Sequence, residues 1–248
     1  MNLRKILVIG ATSAIATECL RRWSEQPVEL VLVGRSDGRL QRLARDLGVR
    51  SPSSKIHTAV LDFMDPVSIQ SFVADQRQQG PIDLAMIAHG SLPEQEECQA
   101  DLTCVDQALA LNGISPSLFA EAIATAMIDQ GAGTLAIVGS VAGDRGRKSN
   151  YIYGAAKGML DRYAEGLQHR LFNSGVALCL IKPGPTLSPM TAHLAGSGLP
   201  LADISDVADT IVKGVDKRKA VIYAPGKWAL IMWVIRHLPR FVFNRLDI

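Results

Sequence analysis

The chain has 248 residues, 48% hydrophobic and 20% charged, with a formal net charge of +2, which suits one α/β domain with a substantial core, excludes intrinsic disorder, and gives no electrostatic case for nucleic acid as a partner. No run reaches the ~18 uninterrupted apolar residues of a membrane span, and the apolar run 6–9 is too short for a secretion signal. The four cysteines (Cys19, Cys98, Cys104, Cys179) show no metal-ligand spacing and read as buried, reduced thiols of a cytoplasmic protein.

Short apolar runs alternate with longer amphipathic ones, as successive βα units require. Strands are expected at residues 5–9, 29–33, 58–61, 84–88, 134–138, 177–181 and 221–223. Most are continuous aliphatic runs, the composition of parallel strands covered on both faces. Residues 37–47 carry Leu40, Leu43, Ala44 and Leu47 at helical spacing. Asp65-Pro66 supplies a cap and a proline at the first helical position, opening a helix to residue 79. Residues 184–203, rich in Gly, Pro and Ser, read as a long mobile loop after a strand.

Gly10-Ala11-Thr12-Ser13-Ala14-Ile15-Ala16 follows the first strand and opens the first helix. In that context a tight turn delivers backbone N–H groups to a pyrophosphate. Only Gly10 of the motif is glycine. Ala14 and Ala16 stand where GxxxGxG has glycine, and a methyl group is the smallest intrusion on a close backbone approach. At the end of the second strand, Gly34-Arg35-Ser36 stands where a carboxylate would hold a free ribose 2′-hydroxyl. A guanidinium there suits a 2′-phosphate, so the cofactor expected is NADP.

Tyr153-Gly154-Ala155-Ala156-Lys157 puts a phenol and an ammonium on one helix face. A fixed positive charge favours the phenolate, so a tyrosine pKa brought down toward useful values is expected, with Lys157 and a cationic nicotinamide ring sharing the effect. Ser140 closes the fifth strand at its carboxyl end, where α/β sheets meet their ligands. Asn112 lies among Leu109, Ala110, Leu111 and Ile114, a locally unfavourable place for it in a helix.

With these residues in this order, residues 4–225 resemble the single-domain short-chain dehydrogenases/reductases. The resemblance implies a Rossmann-type, doubly wound parallel sheet with helices on both faces, and a catalytic set of Asn112, Ser140, Tyr153 and Lys157. It implies that Tyr153 donates the proton while Ser140 polarises the carbonyl. Lys157 would hold the nicotinamide ribose and Asn112 a relay water. It extends cofactor contacts from Gly10, Thr12, Ser13, Ile15, Arg35 and Ser36 to Asp62, Gly90, Pro183, Gly184, Thr186 and Ser188. One departure is Ile87-Ala88-His89-Gly90, where the family has Asn-Asn-Ala-Gly; His89 is expected to line the cofactor channel. Residues 140–147 and 228–246 are also similar to bacterial reductases near decaprenylphosphoryl-2-keto-ribose reductase, and Arg145, Arg147 and Lys148 are placed to meet an anionic substrate.

The expected organisation is a domain over residues 1–226 followed by an apolar and basic tail, 227–248. From Lys217 to Leu246 there are seven basic residues and no acidic one. Trp228, Trp233, Phe241 and Phe243 need a cover, for which core packing or a homo-oligomeric interface (dimer or tetramer) ranks ahead of peripheral membrane contact. The function expected is interconversion of a small-molecule carbonyl and its alcohol, on a keto-sugar or lipid-linked substrate in the narrowest reading. The alternative, a non-catalytic NADP-binding regulator, would have no need of a positioned acid.

Overall fold

The computed structural model describes residues 3–194, 196 and 200–246. Strands β1 (Arg4–Ile9), β2 (Val28–Gly34), β3 (Lys55–Val60), β4 (Leu84–Ile87), β5 (Gly133–Val138), β6 (Val176–Pro183) and β7 (Val221–Ala224) form one parallel sheet in the order β3-β2-β1-β4-β5-β6-β7. Around them lie α1 (Ala14–Trp23), α2 (Asp37–Arg50), α3 (Pro66–Gln78), α4 (Gln95–Ala100), α5 (Leu102–Leu109), α6 (Ser115–Gln130), α7 (Tyr151–Leu171), α8 (Ile204–Asp216), α9 (Lys227–His237) and α10 (Arg240–Phe243). This is the doubly wound α/β fold that the sequence predicts.

Alternation along each strand divides the core in two. On β1, Ile6 and Val8 face a cluster with Leu20, Leu40 and Ile211 from α1, α2 and α8. Leu7 and Ile9 face Ile69, Phe119, Ile123 and Leu160 from α3, α6 and α7. Each fully buried aliphatic or aromatic side chain contributes about 1.5–3 kcal/mol, so both faces of the sheet are covered and stable. The strand order reverses between β1 and β4, and the crevice at that switch point lies beyond the strands' carboxyl ends.

Four features depart from the sequence expectations or add to them. Strand β3 starts three residues earlier, at Lys55, because it is an edge strand with one neighbour and tolerates Lys55 and His57 where a central strand would not. Cys98 and Cys104 are joined in a disulfide rather than reduced, while Cys19 and Cys179 are free and buried. The chain breaks its helix at Asp101, whose carboxylate caps α5 through the Thr103 N–H, and this brings the two cysteine Cα atoms to 4.9 Å. The loop after β6 is pinned at its ends, with Leu187 N–H donating to Ala202 and Ala202 N–H donating to Pro185; residues 195 and 197–199 lie outside the described residues. Finally, α5 and α6 join through a π-helical turn, Ala110–Ile114, into one continuous helix. That helix is long and apolar enough to cross a bilayer, but its apolar face is core: Phe119, Ile123 and Met127 are fully buried.

Candidate active site

The first strand–helix turn is shaped by its backbone. Gly10 adopts φ +77°, and a Cβ there would sit 2.6 Å from the backbone nitrogen of His89, so β1 and β4 meet too closely for a side chain. Both Gly10 and Ala11 N–H groups donate to the Val33 carbonyl, fixing the turn against β2. Ser13 precedes α1 without a side-chain capping bond, and no acidic residue occupies the first turn. The α1 N-terminus therefore keeps its anion-binding character. Thr12 is exposed, while Ser13 and Ile15 line the central cavity. Arg35 and Ser36, both exposed, lie where β2 runs into α2, and Ser36 also makes no side-chain cap. Asp62 lies just past β3, exposed, its carboxylate accepting the Met64 N–H at 2.9 Å. These residues fit a dinucleotide with an additional phosphate: a cradle closed to a Cβ, an uncapped helix start, and a cation at the second strand's end.

A cavity of about 490 Å³ runs from Ser13 and Ile15 past His89 and Gly90 to Asn112, Ser140, Tyr153 and Lys157. Its far wall carries Pro183, Gly184, Thr186 and Ser188. Thr186 is buried and donates to the Gly184 carbonyl, while Ser188 and Thr191 share hydroxyl contacts. The structure thus brings the four expected catalytic residues to one wall of one cavity.

Local structure places each of the candidate catalytic residues. Ser140 follows β5, and its Oγ accepts the Ala142 N–H at 3.1 Å, which fixes the hydroxyl's position. Tyr153 and Lys157 share a face of α7. Lys157 is buried, donates to the Val138 carbonyl at 3.1 Å, and holds its Nζ 5.8 Å from the Tyr153 ring centre. Asn112 lies within the π turn, wholly buried, its Nδ2 donating to Ala108 and its Oδ1 accepting the Ser91 N–H. Pro116, four residues on, has no N–H for the Asn112 carbonyl, so the helix widens there and leaves that carbonyl without its ordinary α-helical partner. The Asn112/Pro116 spacing is the signal in the sequence that marks this turn.

The protein's own groups do not by themselves lower the phenol. Burial pushes the Tyr153 phenol up to about 12, opposed by its hydrogen bond with Ser140, rather than down toward neutrality. Burial likewise brings Lys157 down to about 8, opposed by the Asp161 carboxylate. For both groups the loss of solvation outweighs the partner that opposes it, Ser140 for the phenol and Asp161 for the ammonium. At neutral pH the phenol is therefore firmly protonated and the lysine still charged. One turn beyond Lys157 lies a buried ion network: Lys182 contacts Asp144 at 2.5 Å and Asp161 at 2.8 Å, and Tyr223 donates to the second oxygen of Asp144. Burial pushes Asp161 up; its two carboxylates hold Lys182 up against burial. Its members lie far apart in the chain, so no local sequence signal pairs them.

His89 lines the channel as expected, as a neutral imidazole. Burial pushes it down to about 3, aided by the charges of Lys157 and Arg35. Ser115 donates to the Phe63 carbonyl, so the His89 Nε2 bears the hydrogen toward Ser115, and the ring packs between Phe63 and Phe119.

The tail closes the far end of the cavity. Trp228 lies so near Gly184 that a Cβ there would be 1.9 Å from the indole Nε1, and it lines the cavity instead of standing exposed. Arg145 donates to the carbonyls of Ile235 and, at 2.7 Å, Leu238, and stacks 3.8 Å over Phe243. It caps α9 and so is committed to the tail rather than to an anionic substrate. Phe243 is covered by this contact, while Trp233 and Phe241 remain exposed.

The family model for short chain dehydrogenase matches residues 4–197. The chain is 32% identical to an uncharacterized oxidoreductase of the mprA 5′ region in Streptomyces coelicolor, covering 98% of this chain and 96% of that protein. It is 30% identical to an uncharacterized oxidoreductase of Mycobacterium tuberculosis, covering 97% and 96%. Its backbone also matches a short-chain dehydrogenase from Sphingobium yanoikuyae solved with NADPH, at a TM-score of 0.80 and 22% identity over 96% and 97% of the two chains. The chain belongs to the short-chain dehydrogenase family.

Proposed function

We propose that this protein is an NADP(H)-dependent oxidoreductase that interconverts a ketone and its secondary alcohol. The observation that carries the reading is the convergence of Ser140, Tyr153, Lys157 and Asn112 on the cavity that begins at the Gly10 turn. Family membership supports redox chemistry, and the NADPH bound by the Sphingobium relative supports the cofactor. Gly10, Thr12, Ser13, Ile15 and Gly90 would hold the dinucleotide, with Asp62 at the adenine. Arg35 and Ser36 would meet the 2′-phosphate, and Pro183, Gly184, Thr186 and Ser188 would flank the nicotinamide. A nicotinamide held there would supply the hydride for reduction of the carbonyl, or accept it in the reverse direction.

The chain's own residues manage the proton. Ser140 donates its hydroxyl hydrogen to the carbonyl oxygen, fixing the substrate and polarising the bond. Tyr153, held protonated by its dry setting, passes its proton to that oxygen as the alcohol forms. The phenolate left behind is stabilised by the adjacent Lys157 ammonium, and the proton is restored from solvent past Lys157 and Asn112. The narrower substrate, a keto-sugar carried on a lipid, draws support from the exposed apolar Leu230, Ile231 and Trp233 on α9, beside the cavity wall at Trp228.

The experiment is NADPH oxidation over a panel of keto-sugars, steroids and simple ketones, with and without lipid, for the wild type and Tyr153→Phe. Turnover of at least one ketone, lost in the variant while NADPH still binds, is expected. NADPH binding with no turnover across the panel would favour the regulatory alternative.

A further inference from the structure

The loop between β5 and α7 carries two arginines whose situations differ. Arg145 is satisfied by two carbonyls and an aromatic ring. Arg147 lines the cavity beside Ser140 and Tyr153, and its Nε is buried without a hydrogen-bond partner. Its Nη2 has only the Met232 thioether at 3.3 Å, a weak acceptor. Asp144 is near enough to be felt electrostatically, but its oxygens already serve Lys182 and Tyr223. Guanidinium stays charged at any working pH, and a partly buried cation whose N–H groups lack a good acceptor is costly. An oxyanion arriving with the ligand would supply the missing acceptors. Among the described lining residues, the other charged side chains are Lys157, which faces the catalytic end, and Glu94, which has a partner of its own.

We propose that Arg147 binds an oxyanion carried by the substrate, so that the natural substrate is an anionic ketone bearing a carboxylate, sulfonate or phosphate. This inference rests on the reductase reading and narrows it to a substrate class. The planar guanidinium offers paired N–H donors that match such a group. Anchoring the substrate there, in the loop that also carries Ser140 and leads into the helix of Tyr153, orients its carbonyl in the cavity.

The test compares matched ketone pairs: 4-acetylbenzoate with its methyl ester, and dihydroxyacetone phosphate with dihydroxyacetone. The wild type should favour the charged member of at least one pair by tenfold or more in kcat/KM, and the pair chosen separates carboxylate from phosphate recognition. Arg147→Gln should collapse that ratio toward one, chiefly through KM, and Arg147→Lys should restore part of it. A wild type that treats both members of both pairs alike, or a ratio that survives Arg147→Gln, overturns the proposal. Binding supplies a readout independent of turnover: equilibrium dialysis of 4-acetylbenzoate against its ester on NADP-loaded protein. If no ketone is reduced but the anion binds selectively through Arg147, the reductase reading fails and the anion site stands. Turnover without charge preference does the reverse.

Discussion

The two ends of the cavity are built on different physical terms. At the β1–α1 end the work is done by backbone: a positive φ at Gly10, N–H groups clamped to Val33, and an uncapped helix start. At the α7 end it is done by individual buried side chains, with Asn112, Lys157, Asp161 and Lys182 all withdrawn from solvent. Backbone geometry survives side-chain exchange, and with alanines at positions 14 and 16 the turn still keeps the positive φ of Gly10 and an uncapped helix start. A buried charge has no such tolerance, because its energy depends on its partners.

This contrast can be broken most sharply at Tyr153. Tyr153→Phe should lower kcat by about 10²–10⁴-fold while NADPH affinity stays within a few fold, since only the proton donor is lost. Kinetics together with cofactor titration check it; a comparable loss in both would mean that the two ends are not separable. Next in size is Lys182→Met, which leaves Asp144 and Asp161 buried without their shared cation. It should destabilise the fold by about 3–5 kcal/mol in denaturant melts. Arg22→Ala, which removes the more exposed contacts with Glu18 and Asp209, should cost much less. Equal losses would show that burial is not what distinguishes the two clusters.

At the cofactor end the expected effect is on selectivity. Arg35→Asp should shift the preference from NADPH toward NADH by at least tenfold, read from the ratio of kcat/KM for the two cofactors; an unchanged ratio would place the 2′-phosphate elsewhere. A smaller, pH-dependent effect belongs to Lys157. Its pKa lies near 8, below the ordinary 10.5, so the ammonium is present at pH 7 and is lost as pH rises through about 8. Reduction should therefore decline above pH 8, whereas a profile flat to pH 10 would show that the charge is not needed. Smallest is Arg145→Ala. It frees the end of α9 without touching either catalytic terminus, and should raise amide exchange in residues 227–243 with the sheet unaffected.

What the sequence determined by itself was whatever is local or periodic. Aliphatic runs fixed seven strands because a strand covered on both faces has no polar positions to blur it, and β3 was read short because an edge strand does. The i, i+4 spacing of Tyr153 and Lys157 fixed their common face, and Gly10 fixed a turn that few other residues can make. What only the tertiary structure decided was every consequence of burial and long-range contact. The phenol rises rather than falls because the depth of the cavity, not the spacing to Lys157, sets its solvation. Cys98 and Cys104 meet because a cap at Asp101 folds the chain back. Arg145 and Arg147 are near neighbours in the chain, yet one is spent on a helix end some 90 residues later while the other is left facing the cavity. Sequence places a charge on the chain; only the assembled surroundings determine whether it already has a partner.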